Sequence, residues 1–189
     1  MRNVKLLSMP EIIKCKRLTL VARNHEYDRQ MFLLLNKNRA FLKKYLRWLD
    51  KNKTFQDTVN TTANMMSKWQ NKEQFNYLLV DKKGVLLGAI GVANINNLDS
   101  HVEFGAWLSQ DKTGFGYMTE AVCKLEKILF SKKINRIEIE CAITNEASNS
   151  LAKRCGYEQE CIKKRYYNLN GKFEDAVAYV KLNAKLITK

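Results

Sequence analysis

His101-Val-Glu-Phe-Gly-Ala-Trp-Leu108, Ser109-Gln-Asp-Lys-Thr-Gly-Phe-Gly116 and Tyr117-Met-Thr-Glu-Ala-Val-Cys-Lys-Leu-Glu-Lys-Ile-Leu129 follow one another without a break, and their reading decides the fold. They read as strand, glycine loop, helix. Phe104, Trp107 and Leu108 suit a buried strand. Met118, Ala121, Val122, Leu125, Ile128 and Leu129 recur at the three- and four-residue spacing of an amphipathic helix. Between them, Gly114 and Gly116 let the backbone come close to a ligand and aim free N–H groups outward. A helix N-terminus adds unpaired donors and partial positive charge, which suits a pyrophosphate. Gly-x-Gly before a helix is common, however, and two better-defined motifs are excluded. No Gly-Lys-Ser/Thr follows, so this is not a Walker loop, and the third glycine of a dinucleotide fingerprint is replaced by Thr119.

The sequence on either side changes period in a regular way. Upstream, Arg17 to Val21 reads as a strand with Leu18 and Leu20 on one face. A helix is expected over Glu26–Asn36, turning Tyr27, Met31, Leu34 and Leu35 inward. Asn38–Asp50 reads as a second, aromatic-rich helical segment. Thr54 and Asp57 form a capping-box-like start to a helix reaching about Gln70, with Val59, Ala63 and Met66 on one side. Phe75–Val80, Val85–Val92 and His101–Leu108 then form an antiparallel meander, with a turn at Asp81–Gly84 and a polar loop at Asn94–Ser100. Downstream, Ile137–Ile143 alternates as a strand, and Gly156 caps a short helix begun at Asn145. Strands near Cys161–Asn168 and Asp175–Leu182 close the chain, with Asn170-Gly171 as a turn.

Three ordered stretches carry a resemblance over nearly the whole chain. They are Glu103-Phe-Gly-Ala-Trp-Leu108, Gly114-Phe-Gly-Tyr-Met-Thr-Glu-Ala121, and Asn145-Glu-Ala-Ser148 running on to Gly156-Tyr157. Together they closely resemble the GNAT superfamily of acetyl-CoA-dependent N-acetyltransferases. More narrowly, they resemble the branch that acetylates the N-termini of ribosomal proteins. One departure is plain: the Gln or Arg that usually opens the family's loop motif is Thr113 here, and the closing small residue is Met118. The resemblance implies an α+β, three-layer α/β/α sandwich over residues 1–189 as a single domain, with a mixed, mostly antiparallel central sheet. It implies acetyl-CoA as cosubstrate and no metal. Residues expected at the cofactor are Trp107, Leu108 and Ser109 at the strand end, Thr113, Gly114, Phe115 and Gly116 in the loop, and Tyr117, Met118 and Thr119 opening the helix. Asn145, Asn149 and Lys153 join them from the later helix. The Asn38–Asp50 segment would wall the acceptor side, although core packing suits its aromatics equally.

Acetyl transfer to an amine asks for a positioned thioester, a base for the amine's proton, and a donor to the departing thiolate. The resemblance makes Glu103 the base. A solvated carboxylate on a strand face is the plainer alternative, and Glu138 and Glu140 are weaker rivals because alternation turns them from the apolar face of their strand. Ser148 is the expected donor to sulfur; by position alone it is a helix cap. Tyr157 is its rival.

The bulk properties bound the remaining choices. With 46% hydrophobic and 28% charged residues, one proline and eight glycines, the 189 residues read as a globular domain without linkers. No apolar run reaches the ~18 residues of a membrane span. Met1–Arg17 does not read as a secretory leader, so a cytoplasmic protein is expected. Five scattered cysteines without a Cys-x-x-Cys pair suit reduced thiols, and neither His25 nor His101 is spaced to build a metal site with them. The net charge of +14 favours acidic partners, among them an acidic ribosomal protein, and disfavours polyamines unless the pocket is locally acidic. A protein N-terminus leads as acceptor. A small-molecule amine (amino sugar, amino acid or polyamine) and a non-catalytic, basic RNA- or ribosome-binding module are the alternatives. Direct nucleic-acid binding is disfavoured by the even spread of lysines, and monomer and homodimer both remain open.

Overall fold

The computed structural model describes residues 6–186, so the first five residues of the Met1–Arg17 stretch lie outside them. Among the described residues, eight strands form one sheet in the order β1-β2-β3-β4-β5-β6-β8-β7. They are β1 (Ile12–Lys14), β2 (Leu18–Ala22), β3 (Phe75–Asp81), β4 (Leu86–Asn96), β5 (His101–Leu108), β6 (Arg136–Ala142), β7 (Glu158–Leu169) and β8 (Lys172–Leu182). Every neighbouring pair is antiparallel except β5 and β6. That exception follows from connectivity: the helix after the glycine loop carries the chain back across the sheet, and a crossover of that kind joins parallel strands.

Helices cover both faces, giving three layers. Alternation along β3 shows the division. Phe75, Tyr77 and Leu79 enter one core with Met118, Ala121, Val122, Leu125 and Leu129 of helix α4 (Tyr117–Ser131) and Ala152 of helix α5 (Glu146–Arg154). Leu78 and Val80 enter a second core with Met31 and Leu35 of α1 (Asp28–Lys37) and Leu42 of α2 (Arg39–Leu42).

Two expectations change, and one strand is added. Strand β1, too short to show a period, pairs along β2. The helical reading of Asn38–Asp50 resolves into the four residues of α2 and a 3-10 turn over Arg47–Lys51. Helix α3 (Phe55–Gln70) has the Thr54–Asp57 capping box, but its buried residues are Thr58 and Thr62, whereas Ala63 is exposed and Val59 and Met66 are only half-buried. The reason is a polar partner surface. Thr58 donates to Asn52 Oδ1, Thr62 donates to the buried Asp28, and Arg23 Nε donates to Thr62 Oγ1. Burial of the Arg23 guanidinium lowers its pKa to about 10, opposed by the charge of Asp28.

Candidate active site

Strands β5 and β6 run in register only from His101–Arg136 to Phe104–Ile139. Beyond that, β5 continues along β4 as far as Leu108 and β6 continues along β8 as far as Ala142. The two strands therefore part into a notch, leaving the β6-side backbone edge of Gly105–Leu108 without a neighbouring strand. Gly105 is exposed, and a Cβ built on it would meet nothing within 4 Å.

The glycine loop closes one limb of the notch. Gly114 and Gly116 have φ of 83° and 77°, the left-handed region that glycine enters without steric cost. Gly116 is the N-cap of α4. Among the described residues, the N–H groups of Gly114 through Met118 have no hydrogen-bond partner, and a Cβ on Gly114 would stand in open space. A row of free amides at the start of a 15-residue helix fits a pyrophosphate. The neighbouring side chains are engaged otherwise. Met118 is buried in the core, Leu108 packs against the same core, and Trp107 packs on the opposite one. Ser109 is buried and its N–H donates to Leu87 O, which ties off the strand end. Thr113 Oγ1 donates back to Gln110 O, while Phe115 is exposed against the ring of Tyr117.

Helix α5 forms the other limb. Asn145 is its N-cap, accepting the Ser148 N–H at 3.2 Å. The Ser148 side chain sits beside the Cys141 thiol, whose pKa burial raises and this hydrogen bond lowers. Asn149 Nδ2 donates to Ala142 O and Asn145 O, and its Oδ1 accepts from Tyr179. Its amide is therefore committed to holding β6, α5 and β8 together, so the structure does not bring it to a phosphate. Lys153 lines a separate groove of about 360 Å³ toward β7. Its neighbour Arg154 does reach the glycine-loop limb, donating to Thr119 Oγ1 at 3.2 Å. One step along a helix turns a side chain by about 100°, and the sequence alone gave no reason to prefer Arg154. Tyr157 is buried beside Glu126, with Lys181 Nζ 5.6 Å from its ring centroid, and burial pushes its phenol strongly up.

Glu103 stands on the sheet face that α1 and α2 leave open, level with Glu138 on β6. Glu140 is on the same face, so the alternation that sets these two aside applies equally to Glu103. Charge partners separate the three. Glu138 pairs with Arg136 at 2.7 Å, and Glu140 takes Lys163 and the Tyr167 hydroxyl. Among the described residues Glu103 accepts only the Asn94 amide, at 2.5 Å. Burial holds its pKa above the ordinary 4.5, the Asn94 bond opposes that, Glu140 and Glu138 raise it further, and the charge of Lys163, which pairs with Glu140 and not with Glu103, lowers it. Beside Glu103, Asn76, Gly91 and Gly105 lie in one row across β3, β4 and β5; the Asn76 side chain covers Gly91, while the space over Gly105 is open. The Asn38–Asp50 segment bridges both limbs above, through Gln110 N–H donating to Asn38 Oδ1 and Tyr45 donating to Thr144 O, both at 2.8 Å. Among the described residues no group of three or more His, Cys, Asp or Glu is placed to hold a metal ion, and no helix is long and apolar enough to cross a membrane.

The family of the acetyltransferase (GNAT) domain matches residues 17–158. The chain is 28% identical over 180 residues to a ribosomal-protein-serine acetyltransferase of Escherichia coli (strain K12), covering 92% of this chain and 98% of that protein. It is 31% identical over 97 residues to the putative ribosomal N-acetyltransferase YdaF of Bacillus subtilis (strain 168), covering 51% and 53%. Among solved structures it is similar to the Microcin C7 self-immunity acetyltransferase MccE in complex with acetyl-CoA and AMP, with 26% identity, 92% and 97% coverage and a TM-score of 0.88. It is also similar to RimL, the ribosomal L7/L12 alpha-N-protein acetyltransferase, in complex with coenzyme A, with 25% identity, 92% and 99% coverage and a TM-score of 0.88.

Proposed function

The chain belongs to the GNAT acetyltransferase family, and on that basis we propose that it moves the acetyl group of acetyl-CoA to the N-terminal α-amine of a ribosomal protein. Residues 1–189 act as one acetyltransferase domain in this reading, supported by the single sheet that the eight strands share. A cytoplasmic site of action, where such acceptors are made, belongs to the same proposal. The acetyl donor enters the notch between β5 and β6, its pyrophosphate on the free amides of Gly114 through Met118.

The observation that carries the chemistry is the isolation of Glu103. Of the three carboxylates on the open face, it alone among the described residues lacks a cation partner. A carboxylate neutralised by Arg136 or Lys163 is a poorer base than one whose proton affinity burial has raised. Glu103 takes a proton from the acceptor's ammonium, directly or through one water. The amine then attacks the thioester carbonyl; a C–N bond forms and the C–S bond breaks. Ser148, on the first turn of α5, donates a hydrogen bond to the departing thiolate, which takes up the proton shed by the newly acylated nitrogen and leaves as the free thiol. Tyr157, enclosed between α4 and β8, is the poorer donor.

Support for a ribosomal-protein acceptor comes from the Escherichia coli relative and RimL. A second reading, a small-molecule amine, is supported by the equal likeness to MccE, whose structure holds AMP. The test is release of free thiol from acetyl-CoA against a panel: an acidic ribosomal protein beginning with Ser or Ala, its N-terminal peptide, and an aminoacyl nucleotide analogue. Turnover of the first two supports the proposal. Turnover of the nucleotide analogue alone would replace it with the second reading.

A further inference from the structure

The loop opens with Thr113 where the family it resembles has Gln or Arg, yet an arginine reaches the same loop from 98 residues earlier in the chain. Arg17 immediately precedes β2. Its Nη1 donates to Phe115 O at 2.7 Å and its Nε to Glu120 Oε2 at 2.8 Å. Its backbone N–H donates to the other Glu120 oxygen, also at 2.8 Å. The guanidinium lies 4.8 Å from the ring centroid of Tyr117, and its Nη2 would be 3.4 Å from a Cβ at Gly116.

This contact fixes a direction as well as a distance. In a trans peptide the carbonyl and the following N–H point opposite ways. Holding Phe115 O against Arg17 therefore turns the Gly116 N–H away from Arg17, and that N–H has no partner among the described residues. Arg17 also offsets Glu120, whose carboxylate on the first turn of α4 would otherwise repel an approaching phosphate.

We propose that Arg17 is a positioning residue of the acetyl-CoA site: it sets the Phe115–Gly116 peptide so that the Gly116 N–H meets the cofactor pyrophosphate, and brings to the loop, from before β2, the cation absent at Thr113. The inference rests on the cofactor reading given under the proposed function.

The test compares two donors, acetyl-CoA and S-acetyl-pantetheine, which carries the same thioester arm without pyrophosphate. In Arg17→Ala the KM for acetyl-CoA should rise roughly 10- to 100-fold, the range of a lost charge-assisted contact, with kcat at saturation within about 2-fold. The KM for S-acetyl-pantetheine should not move. Arg17→Lys keeps the charge but not the fork, and should show a smaller rise for acetyl-CoA alone; it also serves if the alanine variant fails to fold. Equal losses with both donors would reduce Arg17 to a general brace and overturn the inference, as would an unchanged KM for acetyl-CoA. If the wild-type chain does not use acetyl-CoA at all, the cofactor reading falls first and the inference with it.

Discussion

Glu103 and Glu138 stand level with each other across the parallel pair β5–β6, two carboxylates on one open face, and only Glu138 has an arginine beside it. Proximity to Glu138 and Glu140 adds to burial in making Glu103 harder to ionise. The same surroundings define what its removal should do.

Glu103→Gln keeps the shape and the bond from Asn94 while removing the base. At neutral pH, kcat should fall roughly 10²- to 10⁴-fold, with acetyl-CoA affinity nearly unchanged and partial recovery at high pH, where the amine loses its proton unaided. The stability effect has the opposite sign. The folded pKa of Glu103 lies above 4.5, so folding favours its protonated form; that contribution is full below about 4.5 and lost as pH rises through the folded value. Glu103→Gln should therefore raise Tm slightly at neutral pH and not below the ordinary carboxyl range. Normal activity, measured by thiol release, would return Glu103 to the surface carboxylates.

Asn94 stabilises the ionised form of Glu103 by donating to it, and its φ of 47° lets glycine replace it without backbone strain. Asn94→Gly should move the acid limb of the kcat/KM–pH profile upward, with the plateau little changed. A profile that stays in place would show that Glu103 is not the titrating base.

Gly114 and Gly84 offer a matched pair. Both have positive φ (83° and 80°) and open space where a Cβ would stand, but only Gly114 is in the loop ahead of α4. Alanine at either position should cost similar stability through backbone strain. Acetyl-CoA should raise the Tm of Gly84→Ala as it does the wild type, by mass action, and should do so much less for Gly114→Ala. Equal ligand shifts in the two variants would move the pyrophosphate elsewhere. Gly116→Val should lose the shift too, but it adds a contact near Arg17 and is the less clean substitution.

Ser148 and Tyr157 are separated by burial. Ser148→Ala should lower kcat about 10-fold or more while leaving the KM for acetyl-CoA close to wild type. Tyr157→Phe should leave kcat within about 2-fold, since its phenol is enclosed beside Glu126 and Lys181. The reverse pattern in steady-state kinetics would exchange the two assignments.

The charge of +14 bears on the acceptor. If it steers an acidic protein, kcat/KM for that acceptor should fall steeply between low and physiological salt, where screening acts beyond about 8 Å, while kcat changes little. A short neutral peptide with the same first residues should show a flatter response. Acetyl-CoA is anionic and must be saturating in both series. Equal slopes would remove steering from the case for an acidic protein and leave a small amine as an equal contender.

The sequence by itself determined the order and type of most elements, because period is a local property. The three-four spacing from Met118 to Leu129 and the alternation through Ile137–Cys141 each reflect one face meeting a core. It also fixed where glycine had to stand ahead of α4, since only positive φ opens that loop. Tertiary structure decided what depends on contacts far apart in the chain. Thr58 and Thr62 are buried because Asn52, Asp28 and Arg23 lie opposite them, which no periodicity within α3 reveals. Alternation placed Glu103, Glu138 and Glu140 on the same kind of face; only the packing of Arg136 and Lys163 leaves Glu103, among the described residues, as the one without a salt-bridge partner. Lys153 and Arg154 are adjacent, and the approach of α5 to α4 selects the second. Arg17 reads as the first residue of a strand until the fold sets it against Phe115 and Glu120, because a guanidinium fork is matched by a carbonyl and a carboxylate that sequence spacing cannot bring together.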